Sequence, residues 1–137
     1  MKGADVDSAT VMDAARKAAR NAYAPYSGFR VGAAILTAKG ALHAGCNVEN
    51  ASYGLGICAE RSAAVAMALA DPEDREIQLV AVASPNAAPC FPCGACRQFL
   101  REFGCKEVVV EDPAEPSGVR HYPFEEMLPH SFGPEHL

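Results

Sequence analysis

Three short apolar runs constrain this chain more than any other feature. Val31-Gly32-Ala33-Ala34-Ile35-Leu36, Leu79-Val80-Ala81-Val82-Ala83 and Val108-Val109-Val110 carry no charge, and polar or turn residues interrupt the chain between them. Uncharged runs of this length, bounded by turn signals, read as strands buried in a sheet. The intervening segments read mostly as helices. The spacing predicts a helix over 8–24, with Ser8 as its N-cap and Val11, Ala14, Ala15, Ala18, Ala19 and Ala22 on one side. Pro25 ends it, and Tyr26-Ser27-Gly28 reads as a turn. Lys39-Gly40 turns the first strand back, so that 41–48 forms a hairpin with it.

Residues 49–57, with Asn50, Ser52, Gly54 and Gly56, read as a loop feeding a second helix over 58–69. The many alanines of that helix suit close packing, and Asp71-Pro72 stops it. A third helix is predicted over 94–103, closed by Gly104. A short edge strand over 119–122 and a short helix over 123–129 complete the chain. The order α-β-β-α-β-α-β-β describes one sheet covered by helices.

At 137 residues and 14.4 kDa the chain has the size of one domain, expected to span 1–137. Half of its residues are hydrophobic, enough for a core without disulfide staples. The net charge of −5 argues against a protein that grips a nucleic-acid backbone, which needs a basic excess or stripe. Arg16-Lys17 with Arg20 reads as a solvated helix face. The acidic start Met1-Lys2-Gly3-Ala4-Asp5-Val6-Asp7 has no apolar core of a secretion signal. No apolar run approaches the roughly 20 residues that span a bilayer. A soluble, cytoplasmic protein is therefore expected, and its six cysteines read as thiols with metal or catalytic chemistry.

Cys58-Ala59-Glu60 and Pro92-Cys93-Gly94-Ala95-Cys96 each fall at a predicted loop-to-helix junction. Backbone N–H groups and the positive helix end favour thiolates there. Cys93 and Cys96, three apart on a first turn, can grip one ion, and Cys58 can supply a third ligand if the two helices lie side by side. Three protein ligands on a tetrahedral ion leave one position for water, the layout of a catalytic zinc. Glu60 lies near the metal yet remains free to move a proton.

Other readings fit the parts. A lone CxxC also suits a redox pair or half of a zinc ribbon, although the second CxxC of a ribbon is absent. Cys58 alone suits a buried apolar residue, and Glu60 alone suits a charge favoured by the helix dipole. The combination of CxE, a spacer and PCxxC matches the signature of zinc-dependent nucleobase deaminases, with cysteine in place of its histidine.

The chain resembles the small, tetrameric cytidine deaminases over nearly its whole length. The resemblance runs through Tyr23-Ala24-Pro25-Tyr26-Ser27-Gly28-Phe29-Arg30-Val31-Gly32-Ala33-Ala34 and Gly45-Cys46-Asn47-Val48-Glu49-Asn50-Ala51-Ser52-Tyr53. It continues through Ile57-Cys58-Ala59-Glu60-Arg61 and Pro92-Cys93-Gly94-Ala95-Cys96-Arg97-Gln98 to Leu128-Pro129-His130-Ser131-Phe132. It implies an α/β fold, three-layer α-β-α with a five-stranded mixed sheet. It also implies zinc-dependent hydrolytic deamination of cytidine and 2′-deoxycytidine in pyrimidine salvage.

On that resemblance Cys58, Cys93 and Cys96 hold one Zn²⁺ per subunit, with water in the fourth position. Glu60 is the general acid and base, serving N3 and the leaving amino group. Three thiolates on a dication leave a net charge of −1, which a guanidinium hydrogen-bonded to sulfur would offset, and Arg61 takes that part. An exposed helix arginine is the alternative for Arg61. The resemblance assigns Asn47 and Glu49 to the ribose 3′-hydroxyl region, and their alternation on a strand end lets them share a face. It assigns Phe29 and the backbone at Ala59 to substrate binding. It implies that Ala51, Tyr53 and Phe132 reach a neighbouring subunit's pocket, so that a homotetramer shares its sites. A polar strand end and an ordinary core residue are the alternatives for Asn47, Glu49 and Phe29.

Phe91 departs from the small Ser or Thr that the family more often places before Pro-Cys, so that it either crowds or lines the pocket or packs outward, and Cys90 is an extra thiol beside it. Cys46 and Cys105 read as buried free thiols. The rival functions are a blasticidin-type or modified-nucleoside deaminase, and a noncatalytic zinc or redox module. Asn47-Val48-Glu49-Asn50 favours the nucleoside enzyme. The partners expected are a small nucleoside and further copies of the chain, without nucleic acid or membrane.

Overall fold

Val80, Ala81 and Val82 have no solvent-exposed surface, because their strand lies between two neighbours and under helices on both faces. The computed structural model describes residues 6–137, so residues 1–5 of the acidic start lie outside the described residues. The apolar runs are strands β1 (Gly32–Thr37), β3 (Ile77–Ala83) and β4 (Glu107–Glu111), joined by β2 (Leu42–Cys46) and β5 (Val119–Pro123). They form one sheet in the order β2-β1-β3-β4-β5. The β3–β4 pair is parallel and every other pair is antiparallel, so the five-stranded sheet is mixed.

Side-chain alternation assigns the two faces. Ala34, Leu36, Leu79, Ala81 and Val109 pack with Val11, Met12 and Ala15 of α1 (Ser8–Arg20). Ala33, Ile35, Val80, Val82 and Val110 pack with Ala63 and Met67 of α2 (Ala59–Ala70) and Leu100 of α3 (Gly94–Glu102). The expected three layers are present, with α4 (Phe124–Met127) adding Phe124 and Met127 to the second core. Fully burying one such Val, Leu or Met side chain is worth about 1.5–3 kcal/mol, and both layers depend on these residues.

Two glycines set how closely the helices approach. A Cβ on Gly32 would lie 2.0 Å from the Ala15 carbonyl oxygen, and one on Gly45 would lie 2.4 Å from the Ala63 amide nitrogen. Both helices therefore rest on the sheet at these points with no side chain between the backbones.

The helix boundaries differ from the sequence reading in ways that have physical causes. The cap of α1 is Asp7 rather than Ser8, since the Thr10 amide donates to the Asp7 carboxylate at 2.9 Å. That helix ends at Arg20 rather than at 24, because Tyr23 is bound elsewhere. Its N–H donates to the Asn47 carbonyl, and its carbonyl accepts from the Glu49 N–H. The second helix begins at Ala59, one residue later than expected, with Cys58 as its cap; the third begins at Gly94 as expected, capped by Cys93, and ends at Glu102. Gly104, with φ of 63°, closes the third helix by donating to the Arg101 carbonyl. All six cysteines are free thiols. No helix among the described residues is long and apolar enough to cross a membrane.

Candidate metal centre and active site

The register places Gly32 opposite both Cys46 and Ala83, so β1 begins where β2 and β3 end. The chain segments just beyond this end of the sheet carry the candidate site. Residues 47–58 lead from β2 to α2, and 84–93 lead from β3 to α3. Both helices start here with a cysteine as cap, and neither cysteine caps through its side chain. The sulfurs are therefore left to face one another. The helix ends supply partial positive charge of about half a unit each, which favours thiolates.

Cys58, Cys93 and Cys96 bring their sulfurs within 4.8 Å of one another, and among the described residues this is the cluster able to hold a metal ion. The Sγ atoms of Cys58 and Cys93 are 3.8 Å apart. A tetrahedral zinc with Zn–S bonds of about 2.3 Å holds its sulfurs about 3.8 Å apart. The donor set, its spacing and its place at two helix starts fit zinc. Cys58 has its pKa held well below the usual thiol range, first by the Cys96 thiol and then by Arg61. Cys96 is displaced upward by the same hydrogen bond and by burial. Arg61 donates to the Cys58 sulfur at 3.5 Å. The Nε of Arg61 is buried without a hydrogen-bond partner among the described residues, so this guanidinium is not the exposed helix arginine of the alternative reading.

Glu60, in the first turn of α2, is 3% exposed and forms no salt bridge among the described residues. Burial pushes its carboxyl up to about 7, and the neighbouring Cys58 adds to the rise. It lines a cavity of about 450 Å³ together with Cys58, Cys93 and Arg61. Phe29, Asn47, Glu49, Tyr53 and Ala59 line the same cavity. The structure therefore gathers nine of the twelve sequence-predicted site residues around one space and holds a tenth, Cys96, buried in the adjoining thiol cluster.

Ala51 and Phe132 lie outside that lining. Ala51 is exposed on the loop before a short 3₁₀ turn (Tyr53–Leu55). Phe132 lies on the C-terminal tail against α3, where Gln98 donates to its carbonyl at 2.9 Å. Its ring stacks on His136 with centroids 5.5 Å apart, and it remains 57% exposed.

Asn47 and Glu49 have work in the loop that the sequence reading missed. The Asn47 side chain accepts from the Val31 N–H and donates to the Phe29 carbonyl, each at 2.8 Å. Glu49 accepts from the backbone N–H groups of Tyr26 and Ser27 at 3.0 and 3.2 Å, and from the Ser27 hydroxyl. These bonds lower the Glu49 pKa, the Ser27 hydroxyl most of all. Both side chains keep spare lone pairs or protons for a ligand. The cavity is also lined by Cys90 and by Phe91, for which the sequence left lining the pocket and packing outward both open. Burial pushes the Cys90 thiol up to about 11, so it stays neutral.

A mixed sheet with a three-thiolate centre at two helix starts and a buried carboxyl beside it defines a zinc hydrolase site built on an α/β fold. Residues 6–112 match the cytidine and deoxycytidylate deaminase zinc-binding region. A cytidine deaminase of Mycobacterium tuberculosis is 40% identical over 133 residues, which is 97% of this chain and 95% of that protein. One from Halalkalibacterium halodurans is 36% identical, covering 96% and 98% of the two chains. Among solved structures, the cytidine deaminase of Burkholderia pseudomallei superposes with a TM-score of 0.81 at 43% identity, covering 93% of this chain and all of that one. The chain belongs to the cytidine and deoxycytidylate deaminase family.

Proposed function

We propose that this protein catalyses hydrolytic deamination of cytidine and 2′-deoxycytidine, cytidine and water giving uridine and ammonia, as a step of pyrimidine salvage. One observation carries the reading: a buried carboxyl, Glu60, lies beside three clustered thiols in a cavity of nucleoside size. In this reading the 137 residues are one catalytic domain. Cys58, Cys93 and Cys96 hold the zinc. When bound, zinc at such a site supplies a water molecule acidic enough to act as nucleophile near neutral pH.

Glu60 would be the proton carrier of the reaction, holding the proton given up by the attacking water, passing it to N3 and then serving the departing amino nitrogen. Its burial excludes bulk water from the proton path. Arg61 draws charge from Cys58, which keeps a three-thiolate site from becoming too electron-rich to polarise its ligand. Phe29 and the Ala59 backbone meet the base, while Asn47 and Glu49 use their spare hydrogen-bonding capacity on the ribose.

The exposed Tyr53 and Phe132 rings suit contact with another copy of the chain, and a cytoplasmic homotetramer with shared sites is the assembly proposed. Phe132→Ala is then expected to raise KM for cytidine, and unchanged kinetics would remove Phe132 from the site. The reaction itself is tested by the ultraviolet absorbance change of zinc-loaded protein with cytidine and, in parallel, 2′-deoxycytidine. Conversion that Glu60→Gln abolishes supports the proposal. Stoichiometric zinc with both nucleosides unchanged would overturn it and turn attention to blasticidin-type substrates.

A further inference from the structure

Phe91 lines the same cavity as Glu60, Cys58 and Cys93, and none of the roles above uses it. Its place is fixed from two sides. Pro92 confines the Phe91 backbone to extended conformations, and two residues of chain hold its Cα within roughly 7 Å of that of Cys93. The ring is braced from the sheet: it meets Tyr122 edge-on, with centroids 5.5 Å apart and planes at 71°. Tyr122 stands opposite Val108 in the β4–β5 ladder and packs against the core, and the Arg120 guanidinium lies 5.3 Å from its ring centroid. Phe91 is nonetheless 41% exposed, so the braced ring presents an open surface to the cavity.

We infer that Phe91 is a specificity-determining residue, limiting the bulk that a pyrimidine carries at C5. The inference rests on the deaminase reading above. For the reaction to proceed, C4 must lie between the thiol cluster and Glu60. Its neighbours in the ring are N3 and C5. Glu60, from α2, serves N3 and the amino nitrogen, which leaves C5 as the flank turned away from α2. We place on that flank Cys90, Phe91 and Cys93, which line the cavity from the connection between β3 and α3. A ring held by Tyr122 gives up that edge-on contact when it swings aside, whereas a freely rotating side chain would accommodate an added methyl group without that loss.

The test compares kcat/KM for cytidine and 5-methylcytidine in the zinc-loaded wild type, Phe91→Ala, Phe91→Leu and Tyr122→Ala. Removing the wall is expected to raise the 5-methylcytidine-to-cytidine ratio by about tenfold or more in Phe91→Ala, the discrimination that a methyl-sized space commands. Phe91→Leu, which retains most of the apolar volume, shifts the ratio less and covers the case in which Phe91→Ala fails to fold. Tyr122→Ala frees the ring and shifts the ratio in the same direction. A merely structural Phe91 would lower both substrates together and leave the ratio unmoved. A ratio within about threefold of wild type in both Phe91 variants overturns the inference. A wild type that leaves cytidine untouched overturns the deaminase reading and the inference with it.

Discussion

At the floor of the cavity, Cys58 and Cys93 are the residues before two helices and Glu60 lies in a first helical turn. At its mouth, Phe29, Asn47, Glu49 and Tyr53 stand on chain between the regular elements or in a single 3₁₀ turn. The floor is held by helix geometry and packing: Ala59 and Glu60 are buried, and the same helix continues into Ala63, Ala64 and Met67 of the core. The mouth is held by individual side chain–backbone bonds, from Asn47 to Val31 and Phe29 and from Glu49 to Tyr26 and Ser27. Chemistry that needs fixed donors and a dry carboxyl has been placed on the rigid part. In the proposed reaction, recognition of a ligand that must enter and leave falls to the part with separable supports.

Substitutions separate the two regions most clearly where their consequences are largest. Glu60→Gln keeps the shape of the floor and removes its proton carrier, so kcat is expected to fall by about 10²–10⁴-fold with zinc content unchanged by metal analysis. Rapid turnover in that variant would move the chemistry away from the floor. Arg61→Ala removes the donor to Cys58, and zinc affinity measured against a competing chelator is expected to weaken about 10–100-fold. Unaltered affinity would make Arg61 a packing residue only.

A smaller effect is expected at the mouth. Asn47→Ala frees the Val31 N–H and the Phe29 carbonyl, and KM is expected to rise about tenfold while kcat falls less, from hydrogen bonds worth about 0.5–1.5 kcal/mol each. Hydrogen exchange at Val31 should quicken in parallel. If exchange stays slow while KM rises, Asn47 acts on the ligand directly and the loop has other supports.

The smallest change lies far from both regions. Asp7→Ala removes the cap of α1 and is expected to lower the melting temperature slightly while leaving cytidine turnover unchanged. The Thr10 amide holds the Asp7 carboxyl below its ordinary value of 3.8, with the Thr10 hydroxyl assisting. The folded state thus favours the ionised form. The contribution is complete above pH 3.8 and is lost as pH falls through the lower folded value. The melting difference between wild type and Asp7→Ala should therefore close on acidification, and a gap that persists there would assign it to something other than the cap.

The floor was legible in the sequence because its partners are close in the chain or repeat a known spacing. A cysteine two residues before a glutamate, and two cysteines three apart after a proline, place donors on first helical turns without any knowledge of the sheet. The strands were legible for a similar reason, since continuous apolar runs announce burial on both faces. The mouth was legible only as residue identities. Glu49 and Ser27 lie 22 positions apart, and Phe91 and Tyr122 lie 31 apart, so no local pattern signals either pair. The end of α1 was misplaced on the same account. Alanine at 22 and 24 suits a helix, but the Tyr23 backbone is taken by Asn47 and Glu49 from a distant loop. Sequence periodicity reports propensity, and these long-range bonds override it.

Gly45 lies two residues before Asn47 and four before Glu49, and it is the point where β2 touches the backbone of α2 near Ala59 and Ala63. A contact between two main chains has no rotamers to adjust, so it behaves as a stop of fixed length. The distance from Glu60 to the Asn47 and Glu49 side chains is therefore gauged by covalent geometry on either side of that stop. Repacking elsewhere in the core leaves this span unchanged, while a single methyl group at position 45 would lengthen it and detune both ends of the cavity at once.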